Sequence, residues 1–292
     1  MTKNYCKFWG TRGSCAVSGE SFQKFGGNSS ALEIRYGDTI AIIDAGTGIR
    51  PLGQELLKQK VRRIELFLSH THWDHLIGFP FFDPIYEPGV HITVWAPPNI
   101  GRTNKELFSD LLAPEFFPVR FDQVQATLEF KTIQQKTPVA VGPLEFDFHI
   151  TNHPGITFAF NIKTPHQTIS YCTDNELLQG YHDDPENAPE ELTQLHQSLI
   201  EFLKGTDILI HEAQYTPEEY RLKVGWGHSS TVNACYLVKR TQASQWLVTH
   251  HDPSHTDEDL KVLEGELNHY LKKQQIPCAA QWIGDGYVLP LK

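Results

Sequence analysis

The chain has no apolar run approaching the ~18 residues of a membrane-spanning helix, so no such span is expected. It has no C-x-x-C pair. Its five cysteines (Cys6, Cys15, Cys172, Cys235, Cys278) are odd in number and scattered, which argues against a disulfide framework and against a thiolate zinc site. Buried reduced thiols are the expectation. Basic residues are in deficit, with Lys+Arg 25 against Asp+Glu 35 and a formal net charge of -10. That balance disfavours a broad electrostatic surface for long nucleic acid without excluding it. A small anionic substrate stays compatible, because bound divalent cations reverse the sign locally. The opening Met1-Thr-Lys-Asn-Tyr-Cys-Lys-Phe-Trp-Gly lacks the apolar core of a secretory signal, so a cytoplasmic location is expected.

What is present reads as one globular α/β domain over residues 1–292, long enough to bury a substantial core. Ala31 to Tyr36 and Thr39 to Asp44 form a hairpin pattern around Gly37-Asp38, followed by a helical pattern from Ile49 to Lys58. Strands are predicted at Ile64 to Leu68, His91 to Ala96, Phe146 to Ile150, Phe158 to Lys163 and Thr168 to Thr173, with short buried ones at Ile208 to Ile210 and Trp246 to Val248. Helices are predicted at about Glu190 to Leu203, Val232 to Arg240 and Asp257 to Lys273. Strands alternating with helices make a layered α/β fold rather than a repeat array. Residues 79–143 are rich in Phe and Pro, as in Phe79-Pro-Phe-Phe-Asp-Pro and Pro114-Glu-Phe-Phe-Pro. They read as loops packed over a core edge, as an apolar lid that could stack on a ring, or as a homodimer interface.

The densest chemistry lies in Ser69-His70-Thr71-His72-Trp73-Asp74-His75, directly behind an apolar strand. His70 and His72 alternate and so point the same way at a strand end, while the following turn can bring Asp74 and His75 to a second ion. One of the chain's 15 histidines would prove nothing; four potential ligands within six residues point to metal. Further candidates each follow a predicted strand: His153, Asp174, and the pair His250-His251. Singly, His153 could be an ordinary loop residue, and Asp174 could cap a helix starting at Asn175-Glu-Leu-Leu. Together they suggest one ion at His70, His72 and His153, a second at Asp74, His75 and His250 with His251 as the alternative, and Asp174 bridging. Two such divalent ions can activate water between them. Zinc comes first for this donor set, and manganese or iron accept it too.

The run His70 to His75 matches the His-x-His-x-Asp-His signature, and the chain strongly resembles the metallo-β-lactamase superfamily along nearly its whole length. The resemblance implies a four-layer αβ/βα sandwich with a dinuclear site at one edge, and a structural role for Asp44. Leu209-Ile-His-Glu-Ala-Gln-Tyr and Gly225-Trp-Gly-His-Ser-Ser-Thr look like the paired motifs of the ribonuclease Z and cyclic-phosphodiesterase branch. By that resemblance Glu212 orients His228, which stabilises the transition state or protonates the leaving oxygen. Otherwise His228 would be a neighbour of a helix cap at Ser229-Ser230. Asp74 would both hold metal and orient the nucleophile. Thr249-His250-His251-Asp252-Pro253 resembles Thr-His-Phe-Ser-Pro, which favours His250 over His251.

Ribonuclease Z carries a Gly- and Lys-rich arm for transfer RNA, usually between the ligands that match His153 and Asp174. Here those positions are only 21 apart. The expected substrate is therefore a small cyclic or linear nucleotide-like phosphodiester, hydrolysed by in-line attack of water. The spacing also resembles a phosphoribosyl cyclic phosphodiesterase, and the Trp9-Gly-Thr-Arg-Gly-Ser opening resembles a bacterial group of metal-dependent hydrolases. Competing expectations are an RNA nuclease, a lactam, lactone or thioester hydrolase, and a non-catalytic nucleotide-binding protein. Arg12 is a candidate to grip phosphate if it is not at the surface or salt-bridged, and Asn28 a candidate to line the site.

Overall fold

Residues of both parities along the central strands are apolar, so both faces of each sheet must be covered. The computed structural model describes residues 4–292 and meets that demand with two seven-stranded sheets packed face to face. The first contains β1 (Tyr5–Gly10), β2 (Ala31–Tyr36), β3 (Thr39–Ile43), β4 (Arg63–Phe67), β5 (His91–Ala96), β6 (Thr127–Thr132) and β14 (Val288–Pro290). Its order is β14-β1-β2-β3-β4-β5-β6. The second contains β7 (Val139–Val141), β8 (Leu144–Ile150), β9 (Phe158–Lys163), β10 (Thr168–Cys172), β11 (Ile208–Glu212), β12 (Gln245–Thr249) and β13 (Ala279–Trp282), in the order β13-β12-β11-β10-β9-β8-β7. In each sheet one end is antiparallel and the other parallel: β3 to β6 and β10 to β13 run side by side in the same direction.

Parity decides which core each side chain joins. Ala41, Ile43 and Phe67 point between the sheets and meet Phe146, Phe148 and Phe160. Phe67 stacks on Phe146 with ring centroids 4.3 Å apart. The alternate residues Ile40, Ile42, Ile64 and Leu66 face outward under α1 (Ile49–Lys58) and α2 (Asn104–Leu111). In α1 the buried positions Ile49, Leu52, Gly53 and Leu56 follow helical spacing and form one apolar stripe. On the other side Leu209, Trp246 and Val248 lie under α4 (Gln197–Leu203), α6 (Thr231–Thr241) and α7 (Asp257–Lys273). The result is the expected αβ/βα sandwich. Two short helices, α3 (Glu190–Gln194) and α5 (Pro217–Tyr220), complete the set.

Three expectations change. The single helix predicted from Glu190 to Leu203 breaks between α3 and α4, where the buried His196 turns its ring inward and Nε2 accepts the Leu178 N–H at 3.0 Å. No helix starts at Asn175: its N–H donates to Glu212 Oε1 at 2.7 Å, and Asp174 adopts a left-handed φ of 56°, so Asp174 caps nothing. Residues 79–143, expected as loops over a core edge or else a lid or an interface, hold regular elements as well, while most of their buried rings pack as the first of those readings has it. They supply β5, α2, β6 and β7, and Phe79, Phe82 and Phe108 are core residues, leaving Phe81 and Phe116 at the surface. The cysteines are free, with Cys6, Cys172 and Cys235 buried and Cys15 exposed. Among the described residues no helix is long and apolar enough to cross a membrane.

Candidate metal centre

The parallel half of the second sheet assembles the site. Register pairs Cys172 with His211, and Glu212 with Thr249, so the carboxyl ends of β10, β11 and β12 deliver Asp174, Glu212 and His250 side by side. From the facing sheet, β4 ends at Phe67 and the chain runs on to His70. Ser69 ties the two sheets together by accepting the Phe158 N–H through its carbonyl at 2.9 Å. The loop after β8 adds His153. Asp44 (φ 68°), Asp174 (φ 56°) and His250 (φ 58°) all take left-handed backbone, a conformation costly without glycine and typical of turns held by their surroundings.

The seven candidates converge on one cavity edge. His75 Nε2 and His250 Nε2 lie 3.2 Å apart, and each is 3.1 Å from Asp74 Oδ2. Asp174 Oδ1 lies 3.4 Å from His250 Nε2, 3.7 Å from His70 Nε2 and 3.9 Å from His153 Nε2. His153 Nε2 is 3.0 Å from His72 Nδ1. Four overlapping groups of donor atoms result: His70, His72 and His153; Asp74, His75, Asp174 and His250; and two more in which His228 joins His153 and Asp174, or Glu212 and His250. The first two together use all seven candidates. Asp174 stands between them.

The outer nitrogens show that these atoms suit cations. His75 Nδ1 is 2.8 Å from the Asp44 carboxylate, His153 Nδ1 is 2.8 Å from the Gly227 carbonyl, and His250 Nδ1 is 3.1 Å from Gln214 Oε1. An acceptor at Nδ1 fixes the proton there and leaves each Nε2 lone pair for a metal. His70 Nε2 and Asp174 Oδ2 are buried with no hydrogen-bond partner, an arrangement that costs free energy unless an ion occupies the gap. Charge agrees. Burial opposes ionisation of Asp74, yet His75 and His250 outweigh it and hold its carboxyl well below the usual range. Burial likewise opposes a charge on His75, but Asp74, Asp174 and Asp44 push it well above its ordinary value, so the protein alone keeps a proton where a cation would satisfy the same carboxylates. Burial lowers His70 well below the normal range, keeping it a neutral donor.

Beside this centre, the buried Glu212 takes the Asn175 N–H on Oε1 and faces His228 Nδ1 through Oε2 at 2.9 Å. Burial disfavours the charged imidazole, but the carboxylate overcomes it and His228 is pushed up to about 9 in the protein alone. With Nδ1 turned to Glu212, Nε2 is left for whatever enters the cavity, of about 430 Å³, that His228 lines with Ser14, Trp73, Asp74, His153 and Trp226. The neighbouring helix cap is Ser230, whose hydroxyl accepts the Asn233 N–H; His228 itself caps nothing.

Arg12 is neither at the surface nor salt-bridged, and it does not reach the cavity. It is fully buried, with Nε donating to the Gly26 carbonyl at 2.9 Å and Nη1 to the His255 carbonyl at 2.7 Å, so it braces the loop after His250. Asn28 is tied to Asp285 and Thr47 rather than lining the site. His251 donates Nε2–H to the Ile283 carbonyl at 2.7 Å, with its ring edge-on to Phe25, and so stands outside the donor groups. Gly13 must be glycine for space: a Cβ there would collide with the His250 ring.

Sequence reasoning missed five contributors. Ser14 N–H donates to Asp74 Oδ2 at 2.7 Å. Gln214 orients His250. Glu176, itself buried, accepts the Gly225 N–H at 2.8 Å and the Gly227 N–H at 3.0 Å, fixing the loop whose Gly227 carbonyl in turn orients His153. Trp73 and Trp226 wall the cavity although 64% and 61% exposed. Only Glu176 had no signal in the sequence, since Ser14, Trp73, Gln214 and Trp226 each sit inside a motif singled out there.

Comparison with known proteins bears on the family and the fold. The family model for the beta-lactamase superfamily domain matches residues 41–251. A ribonuclease Z from Brevibacillus brevis is 34% identical, the match covering 75% of this chain and 77% of that one. Among solved structures, the metallo-beta-lactamase fold protein YhfI from Bacillus subtilis superposes with a TM-score of 0.67 at 17% identity, covering 98% of both chains. Yeast PDE1 superposes with a TM-score of 0.68 at 12% identity, covering all of both. By sequence and by fold, the chain belongs to the metallo-β-lactamase superfamily, in its ribonuclease Z-like branch.

Proposed function

We propose that the chain hydrolyses a small nucleotide-like phosphodiester, cyclic or linear, at a dinuclear centre. His70, His72 and His153 would hold one ion and Asp74, His75 and His250 the other, with Asp174 shared between them. As a member of this branch it is a metal-dependent phosphoric diester hydrolase. Two zinc ions fit the imidazole-rich donor set, and when bound they supply Lewis acidity and acidify water at neutral pH. The chain's own residues do the rest. Asp74, held by the Ser14 N–H, presents an acceptor oxygen that orients the attacking water. Glu212 keeps His228 protonated, and His228 gives its Nε2 proton to the departing ester oxygen. Trp73 and Trp226 narrow the approach.

The observation that carries this reading is the Glu212–His228 pair beside the metal cluster. Lactam or thioester hydrolysis has no need of a carboxylate-held imidazolium, whereas phosphodiester cleavage develops charge on both non-bridging and leaving oxygens. The preference for a small ester rests on the short path from His153 to Asp174, which is only the β9–β10 hairpin turning at residues 164–167, and on the acidic balance of the chain. The identity with the Brevibacillus brevis ribonuclease Z supports RNA processing as the second reading. Metal-loaded protein assayed on nucleoside 2′,3′-cyclic phosphates and on a precursor transfer RNA separates the two. The expected result is a higher kcat/KM on the cyclic ester. Efficient trimming of the RNA with no turnover of the small ester would give the second reading the site.

A further inference from the structure

A second cavity, of about 440 Å³, adjoins the metal cavity, and Trp73 lines both. Neighbouring residues of the chain divide the two as well as one ring, since Thr71 lines the second and His72 the first. Its walls are apolar, from Leu76, Leu107, Leu111 and Phe116, and its rim carries the Arg102–Asp110 ion pair at 3.0 Å. Phe116 is 75% exposed at its mouth, so two large aromatic faces, Trp73 and Phe116, stand in water at one opening. The size falls within the range of small-ligand pockets, and apolar walls with a few polar groups are their usual lining.

Resting on the function proposed above, we propose that this cavity is the base subsite: it takes the nucleobase of a nucleoside phosphodiester whose phosphate lies at the metal cluster. A planar ring can stack on the exposed π faces. Its edge can meet the guanidinium of Arg102 as donor and the carboxylate of Asp110 and the Thr71 hydroxyl as acceptors, a mixed edge that an acyl chain would leave unused. The segment that builds the far wall, α2 with the turn after it, is not among the strands that carry the metal site. It can therefore set the choice of substrate without altering the hydrolytic groups.

The test compares equilibrium binding of adenosine 5′-monophosphate and ribose 5-phosphate to zinc-loaded protein by calorimetry, with bis(p-nitrophenyl) phosphate hydrolysis measured alongside. Wild type should bind the nucleotide at least about tenfold more tightly, the scale of one stacked base. Ala113→Trp, which fills the cavity from its half-buried rim, should erase that preference and leave the affinity for ribose 5-phosphate and the zinc stoichiometry unchanged. Phe116→Ala, at an exposed position where folding is not at stake, should reduce it severalfold. Equal affinity for the two ligands in wild type, or a preference that survives both substitutions, would overturn the base subsite. Loss of the parent proposal reads differently, as no hydrolysis of the ester by wild type whatever the binding preference.

Discussion

Asp174→Ala protein is expected to lose at least one of its two metal equivalents and to hydrolyse bis(p-nitrophenyl) phosphate at least roughly 10²–10³-fold more slowly than wild type, the scale on which one preorganised electrostatic group acts. The reason is placement. Its Oδ1 is within 4 Å of Nε2 atoms from both donor groups, His250 at 3.4 Å and His70 at 3.7 Å, and its other oxygen is buried 3.4 Å from His75 Nε2 with no hydrogen bond of its own. Burial resists ionisation of this carboxyl, but His250, His75 and His70 together hold it well below the usual range, so it is an anion waiting for cations. Its removal leaves imidazole nitrogens facing one another with one negative charge fewer. Metal analysis and steady-state rates check the prediction. Two retained equivalents with wild-type turnover would show that Asp174 bridges nothing.

His228→Ala should keep both metals and lose roughly 10²–10⁴-fold in kcat, the usual contribution of a positioned acid. The deficit should be larger on an alkyl ester than on a p-nitrophenyl ester, because the weaker leaving group depends more on receiving a proton. A purely structural histidine would depress both equally. Glu212→Gln provides the pH test. The useful form of His228 is protonated, so activity is present below its pKa and lost as pH rises through it. The carboxylate 2.9 Å away is what raises that value against burial, and its neutral replacement must move the descending limb of the kcat profile to lower pH. An unmoved limb would remove His228 from the proton transfer.

Much of this was legible in the sequence because it is local. The His70 to His75 run announces its chemistry through spacing alone, and β5, β9, α1 and α7 follow from apolar periodicity to within the residue. What was not legible depends on loops meeting from far apart. Glu176 acts on Gly225 and Gly227 through a chain path of about fifty residues, and nothing in Asn175-Glu-Leu-Leu distinguishes it from the start of a helix. Arg12, in a glycine-flanked turn, read as a surface or salt-bridged residue with a phosphate grip as the alternative, and only the folded chain reveals backbone carbonyls of Gly26, Asp252 and His255 around it. The Phe/Pro segment shows the same limit, since core-edge packing was expected for most of its rings but an aromatic residue reads alike whether it fills the outer core, as Phe79 does, or stands in water, as Phe116 does.

The central claim is that two metal ions on these side chains carry out phosphodiester hydrolysis, and the most direct measurement is a metal titration of chelator-stripped protein followed by bis(p-nitrophenyl) phosphate turnover. Activity should be absent at the start and saturate at two equivalents of zinc, with manganese or iron compared in parallel. Saturated metal sites with no turnover under any of the three metals would contradict it.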